Sequence, residues 1–125
     1  ATAAASGYEQ SIAPEVRSAI SAMDQLADVS EWARFRLAQQ GGAAESRACE
    51  DLHDAATNTR DFVLRGSPFA ASTAAEFRQI LQGATQELQQ STAPEAQEVL
   101  AHAQQTAQLL ESSLAHLSPT AGTTP

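Results

Sequence analysis

The chain has 125 residues and a mass of 13.1 kDa, which suits a single small domain. It carries 15 acidic residues against seven basic residues, all of them Arg, so its formal net charge is −8. It therefore lacks the basic surface that nucleic acids and anionic membranes attract. The absence of Lys also excludes Schiff-base and P-loop chemistry.

The apolar residues favour helices over strands. Ala accounts for 27 positions, whereas Val and Ile, which suit sheets, together occupy only seven. No apolar run approaches the length of about 18 residues that would predict a membrane span. This composition predicts an all-α domain with few large core residues.

The first predicted helix begins at Ser11, with Pro14 in its first turn, and ends before the glycine pair at 41–42. Its apolar residues recur at spacings of three and four, which is typical of one buried helix face. They are Ile12, Val16, Ala19, Ile20, Met23, Leu26 and Ala27. This stripe stops at Asp28, which predicts a kink or a restart between Asp28 and Ser30.

Three further amphipathic helices follow. The second is expected over residues 44–65, and the third begins after an N-cap at Ser72 or Thr73. The fourth is expected over residues 94–117, and a capping box of Thr92 and Glu95 precedes it. The fourth has the most regular apolar seam: Ala96, Leu100, Ala103, Ala107, Leu110, Leu114 and Leu117.

Short connections between four such helices predict an antiparallel, up-down four-helix bundle with a kinked first helix, over residues 9–117. The alternative is a homodimer in which two helical hairpins close a bundle. The flanking segments 1–8 and 118–125 are small, polar and rich in Gly and Pro, which predicts disordered tails.

Residues with catalytic or metal-binding chemistry do not form a recognisable site. Glu50 and His53 have a spacing found in di-iron bundles, but no second such pair occurs and the helical angle turns both outward. His102 and His116 are too far apart on the fourth helix to share a metal. Cys49 is expected at the core edge with acidic neighbours, which disfavour a reactive thiolate. We therefore expect no metal, no cofactor and no enzymatic activity.

The segment from Val29 to Arg36 is the candidate binding site. It contains the only Trp, Trp32, together with Phe35, and two of the seven Arg residues, Arg34 and Arg36. Trp and Arg are enriched where binding energy concentrates in interfaces. One interpretation is an exposed patch for a partner protein; the other is that Trp32 and Phe35 plug the end of the bundle.

The expected function is non-enzymatic protein binding, and a homodimer is compatible with it. The alternative is a carrier bundle for a small apolar ligand or cofactor. The small residues Ala1–Ser6 fit the product of signal-peptide cleavage, which favours an exported protein. Loss of an initiator Met, or a chain shortened at this end, explains the same N-terminus.

Overall fold

Residues 7–117 are described by a computed structural model, and helices occupy most of that range. The elements are α1 (Gly7–Ser11), α2 (Pro14–Gln39), α3 (Ala43–Leu64), α4 (Ala70–Gln89) and α5 (Pro94–Ser113), followed by a 3-10 turn (Leu114–His116). The described range contains no strand. The predicted all-α class is therefore confirmed.

The four long helices form a closed ring. Helix α2 packs against α3 and α5, and α4 packs against the same two helices from the opposite side. Connections of a few residues, at 40–42, 65–69 and 90–93, reverse the chain between successive helices. This is the predicted up-down four-helix bundle, and one chain closes it without a second copy.

The core combines a few large side chains with many alanines. The largest fully buried apolar side chains are Phe77, Met23, Leu26, Leu37, Leu52, Leu88, Leu110 and Val99. Between them lie alanines with almost no exposed surface, such as Ala33, Ala56 and Ala103. Because Ala adds little bulk, the helix backbones approach closely and a small set of large residues fills the interior.

Helix α2 is continuous through the position where a restart was predicted. Residues 28–30 lie inside the helix, so neither Asp28 nor Ser30 caps a new one. The buried face continues after Ala27 with Ser30, Ala33 and Leu37, at the same spacings of three and four. The predicted restart is therefore wrong, because the stripe persists in small residues.

The helix starts differ from the predictions in detail. Ser11 closes the short helix α1 and does not open α2. Helix α4 begins at Ala70, and the hydroxyl of Thr73 donates to the carbonyl of Phe69 at 2.8 Å, inside the helix. Helix α5 begins at Pro94 without a side-chain cap, so the capping box of Thr92 does not form.

The terminal predictions fall partly outside the described residues. The predicted tails at positions 1–6 and 118–125 cannot be compared with the structure, because these residues lie outside the described range. Gly7 and Tyr8, which the prediction assigned to the first tail, belong to α1.

The buried face of α5 is rotated slightly from the predicted seam. Leu100 and Leu110 are buried as expected, whereas Leu114 is only half-buried. Thr106 is buried, and its hydroxyl donates to the carbonyl of His102 at 2.7 Å. A polar residue on this face is tolerated because its hydrogen bond is made within the helix.

Replacing Leu110 with Asp tests the bundle. Leu110 is fully buried, so Leu110→Asp places a carboxylate in the core and should lower the free energy of unfolding by about 3 kcal/mol or more. The control Gln108→Asp changes an exposed position on the same helix and should stay within about 0.5 kcal/mol. Urea unfolding followed by circular dichroism measures both, and equal effects would contradict the assigned core.

Candidate functional site: an aromatic face on α2

Trp32 and Phe35 project from α2 on the side opposite its buried stripe. Trp32 is 41% exposed and Phe35 is 57% exposed. Residues three apart on a helix lie on the same side, so the two rings are neighbours. The interpretation that they plug the bundle is therefore wrong. We call Trp32, Phe35, Arg34 and Arg36 the aromatic face.

Arg36 covers the Trp32 ring. Its guanidinium carbon lies 5.0 Å from the ring centroid, one helical turn away along the chain. An exposed cation–π contact of this kind contributes about 0.5–1 kcal/mol. Within residues 7–117, no carboxylate forms an ion pair with Arg36, so its charge remains available at the surface.

The C-terminal end of α2 is also tied to the start of α5. The Gln40 amide donates to the Glu95 carboxylate at 3.1 Å. The pKa of Glu95 is lowered chiefly by a hydrogen bond from its own backbone N–H, then by Gln40 and by the charge of Arg36. Glu95 thus stays ionised beside the aromatic face without forming an ion pair with it.

Arg34 has a different role from Arg36. Its guanidinium covers the Phe35 ring at 4.3 Å, donates to Glu31 and lies 3.4 Å from the carboxylate of Glu50 on α3. The hydrogen bond to Glu31 is the main reason that the pKa of Arg34 is raised. Its charge is therefore neutralised within the chain, and it holds Phe35 in place.

Contacts from α3 fix α2 beside this face. The hydroxyl of Ser46 donates to the backbone carbonyl of Arg34 at 2.8 Å. His53 Nδ1 lies 3.0 Å from the carbonyl oxygen of Ala27, which accepts a hydrogen bond from the ring N–H, and Nε2 lies 3.4 Å from Glu31. These contacts lie on the side of the aromatic face that is next to α3, and they leave the Trp32 and Phe35 rings exposed to solvent.

The remaining candidate residues are engaged in structure. His53 was predicted to point outward, but its ring lies in the contact between α2 and α3, because a side chain on the flank of a helix reaches the neighbouring backbone. Glu50 is largely exposed and pairs with Arg34. In the described part of the chain, no group of three or more His, Cys, Asp or Glu side chains is arranged to hold a metal ion.

Cys49 lies deeper than the predicted core edge. Its side chain is fully buried, and burial raises the pKa of its thiol to about 11, with a smaller contribution from the charge of Glu45. A thiol with this pKa is almost entirely protonated near neutral pH and is a poor nucleophile.

His102 and His116 lie apart, as expected. His102 is a half-buried residue of α5, whereas His116 lies in the 3-10 turn with Nε2 3.6 Å from the carboxylate of Glu15. The turn is therefore held against the start of α2. The two imidazoles take part in separate contacts.

Two hollows on the bundle are relevant to a carrier function. One, of about 240 Å³, lies at the end of the bundle where Ile12, Val16 and Val63 meet, with Arg65 and His116 at its rim. The other is a groove of about 480 Å³ between α4 and α5. The aromatic face lines neither hollow.

Searches among protein-family models, curated proteins and solved structures find no match to this chain. Across residues 7–117, none of the helices combines the length and hydropathy needed to cross a lipid bilayer.

Trp32 can report directly on its own exposure, since it is the only Trp in the chain. Its fluorescence should peak at long wavelength and be quenched readily by acrylamide. Trp32→Ala should lower the free energy of unfolding by about 1 kcal/mol, mainly through loss of the contact with Arg36. The control Phe77→Ala removes a buried ring and should cost about 3–5 kcal/mol.

A short-wavelength emission that acrylamide does not quench would contradict the exposed position of Trp32. If Trp32→Ala lowered the free energy of unfolding as much as Phe77→Ala does, that result would also contradict the exposed position.

Proposed function

We propose that the chain is a non-enzymatic protein-binding bundle and that the aromatic face is its binding surface. The observation that carries this proposal is the exposure of Trp32 and Phe35 in a chain that has few large apolar residues. Two aromatic rings that remain partly exposed to water do not contribute the full stabilisation that their burial in the core would give. A binding function accounts for that loss.

The rigidity of the face supports the proposal. The two rings sit on a 26-residue helix that packs against both α3 and α5. Arg34 and Arg36 cover the rings and restrict their motion. A surface ordered before binding loses less conformational entropy on association, which favours affinity.

The chemistry of the face indicates the kind of partner. The rings provide apolar contact area, and Arg36 adds a hydrogen-bond donor whose charge is not paired within the described residues. A complementary surface is apolar at its centre and presents a carboxylate or carbonyl oxygen beside it. The net charge of −8 argues against a nucleic-acid partner.

Selection from a random peptide library displayed on phage tests the proposal. The selected peptides should bind the wild-type chain through the aromatic face, so Trp32→Ala should weaken binding by about tenfold or more. The matched control is Phe69→Ala, because Phe69 is similarly exposed, at 48%, but lies at the start of α4. The Phe69→Ala variant should bind the selected peptides as tightly as the wild-type chain does.

Peptides that bind Trp32→Ala as tightly as the wild-type chain would contradict the proposal. Peptides that lose affinity only with Phe69→Ala would place the binding surface elsewhere on the bundle.

A carrier for a small apolar ligand is the second candidate, and the hollow at the end of the bundle is the observation that favours it. Its lining combines apolar side chains, such as Ile12 and Val63, with a larger share of polar surface, to which Arg65 and His116 belong, and this mixture suits a small amphipathic molecule. Native mass spectrometry of the purified chain distinguishes the two candidates, because a carrier retains a bound small molecule.

A further inference from the structure

A groove runs along the outer side of the bundle where α3 packs against α4. It consists of three hollows, of about 390, 480 and 50 Å³, and Ile80 lines all three. On α3 its lining extends from Ala44 to Asn58. The axial distance between these two positions is about 21 Å, or about four helical turns. We call this surface the α3–α4 groove.

The floor of the α3–α4 groove is formed by small and apolar residues. Ala48 and Ala84 are buried, and Ile80 packs against the core with part of its side chain exposed. Gly83 lies beside them, and a Cβ added to it would meet no atom of another helix within 4 Å. Gly in the middle of a helix is less favourable than Ala, and packing within the chain does not require it here. Its consequence is open space above the floor, next to Ile80.

Carboxylates border the α3–α4 groove on both helices. Asp51 and Asp54 lie on α3, and Glu76 and Glu87 lie on α4. In the part of the chain that the structure describes, none of the four forms an ion pair. The lining includes one basic residue, Arg47, at one end. The groove therefore combines an apolar floor with an excess of negative charge along its edges, which complements a basic ligand.

A helix fits this groove better than an extended peptide does. The groove presents side chains and no free backbone edge, because the backbone groups of α3 and α4 are paired within each helix. An extended peptide would place its own N–H and C=O groups against the apolar floor without partners, which is unfavourable. A helix pairs those groups internally and buries an apolar face between its two neighbours.

We propose that the α3–α4 groove binds a basic amphipathic helix of about four turns that belongs to another protein. The apolar face of this helix covers Ile80 and places a large side chain in the space beside Gly83. Lys or Arg residues on its two flanks pair with Asp51 and Asp54 on one side and with Glu76 and Glu87 on the other.

A helix of this chain does not fit that description, because α2, α3, α4 and α5 each contain more acidic than basic residues. The α3–α4 groove also shares no residue with the aromatic face. It is therefore a second surface, which goes beyond the proposed function and stands independently of it.

A designed peptide tests the groove, because a short random peptide is rarely helical in water. The probe has about 18 residues, with Leu at spacings of three and four on one face, Lys on both flanks, Ala elsewhere and fluorescein at one end. Fluorescence anisotropy with the full chain should show saturable binding with a Kd in the micromolar range. The same peptide with Glu in place of Lys should bind about tenfold more weakly or worse.

Charge reversal separates the groove from general attraction to an acidic chain. Asp51 lines the two larger hollows, so Asp51→Lys should raise the Kd of the basic peptide by about tenfold. The matched control is Glu98→Lys, an exposed position on α5 that makes the same change in net charge away from the groove. It should change the Kd by less than about twofold. Equal weakening by both variants would overturn the proposal.

Filling the space beside Gly83 tests the shape of the groove. Gly83→Leu should raise the Kd of the basic peptide by about tenfold, because the new side chain occupies the position of the partner's side chain. The same variant should raise the Tm by about 4 °C, since Leu is a better helix former than Gly, so unfolding cannot explain the loss of binding. The control is Gln82→Leu, at the neighbouring exposed position, which lines the groove between α4 and α5. It should leave the Kd unchanged.

A basic peptide that does not bind at about 1 mM chain would overturn the proposal. So would a Kd that Gly83→Leu leaves unchanged or lowers. Trp32→Ala should not alter the Kd of this peptide, and a loss of binding in that variant would place the peptide on the aromatic face and overturn the groove as its site. Because the two surfaces share no residue, failure of the groove leaves the proposed function standing, and the peptides selected through Trp32 test that function separately.

Discussion

Helix α2 contacts α3 and α5 along one face that repeats every three or four residues from Val16 to Leu37. The repeat is unbroken because Ser30 and Ala33 are small enough to lie between closely packed helices. The directions of side chains around a helix are fixed relative to one another. Burial of this face therefore determines which side chains lie on the opposite, exposed side. The outward position of Trp32 and Phe35 is therefore a consequence of how the core packs.

The same constraint separates two arginines that look equivalent in the sequence. Arg34 lies on the flank of α2 that faces α3, where Glu31 and Glu50 neutralise its charge. Arg36 lies nearer α5 and keeps its charge at the surface, over the Trp32 ring. Arg34 therefore contacts the Phe35 ring as part of an ion-pair network, whereas Arg36 provides a guanidinium donor that has no ion-pair partner among the described residues.

The number and order of the four long helices were predictable, because Gly and Pro mark the connections and large apolar residues mark the faces of α3, α4 and α5. Trp32 also stood out in the composition, as the only Trp in the chain. Which face of α2 is buried after Asp28 was not predictable. In the sequence, Ser30 looks like a polar residue that ends the apolar stripe, and only the packing of the neighbouring helices shows that it is buried. The contacts of Arg34 and His53 depend on the register between α2 and α3, which local patterns do not encode.

The effect of Ser30→Ala on stability tests the continuous buried face most directly. Ser30 is fully buried and its hydroxyl has no hydrogen-bond partner, so its removal should raise the free energy of unfolding by about 1 kcal/mol. Ser21→Ala, at an exposed position of α2, measures helix propensity alone and should give a gain of about 0.5 kcal/mol. A loss of about 1 kcal/mol with Ser30→Ala, as for a removed N-cap, would contradict the account, because α2 would then restart at Ser30 and turn Trp32 towards the core.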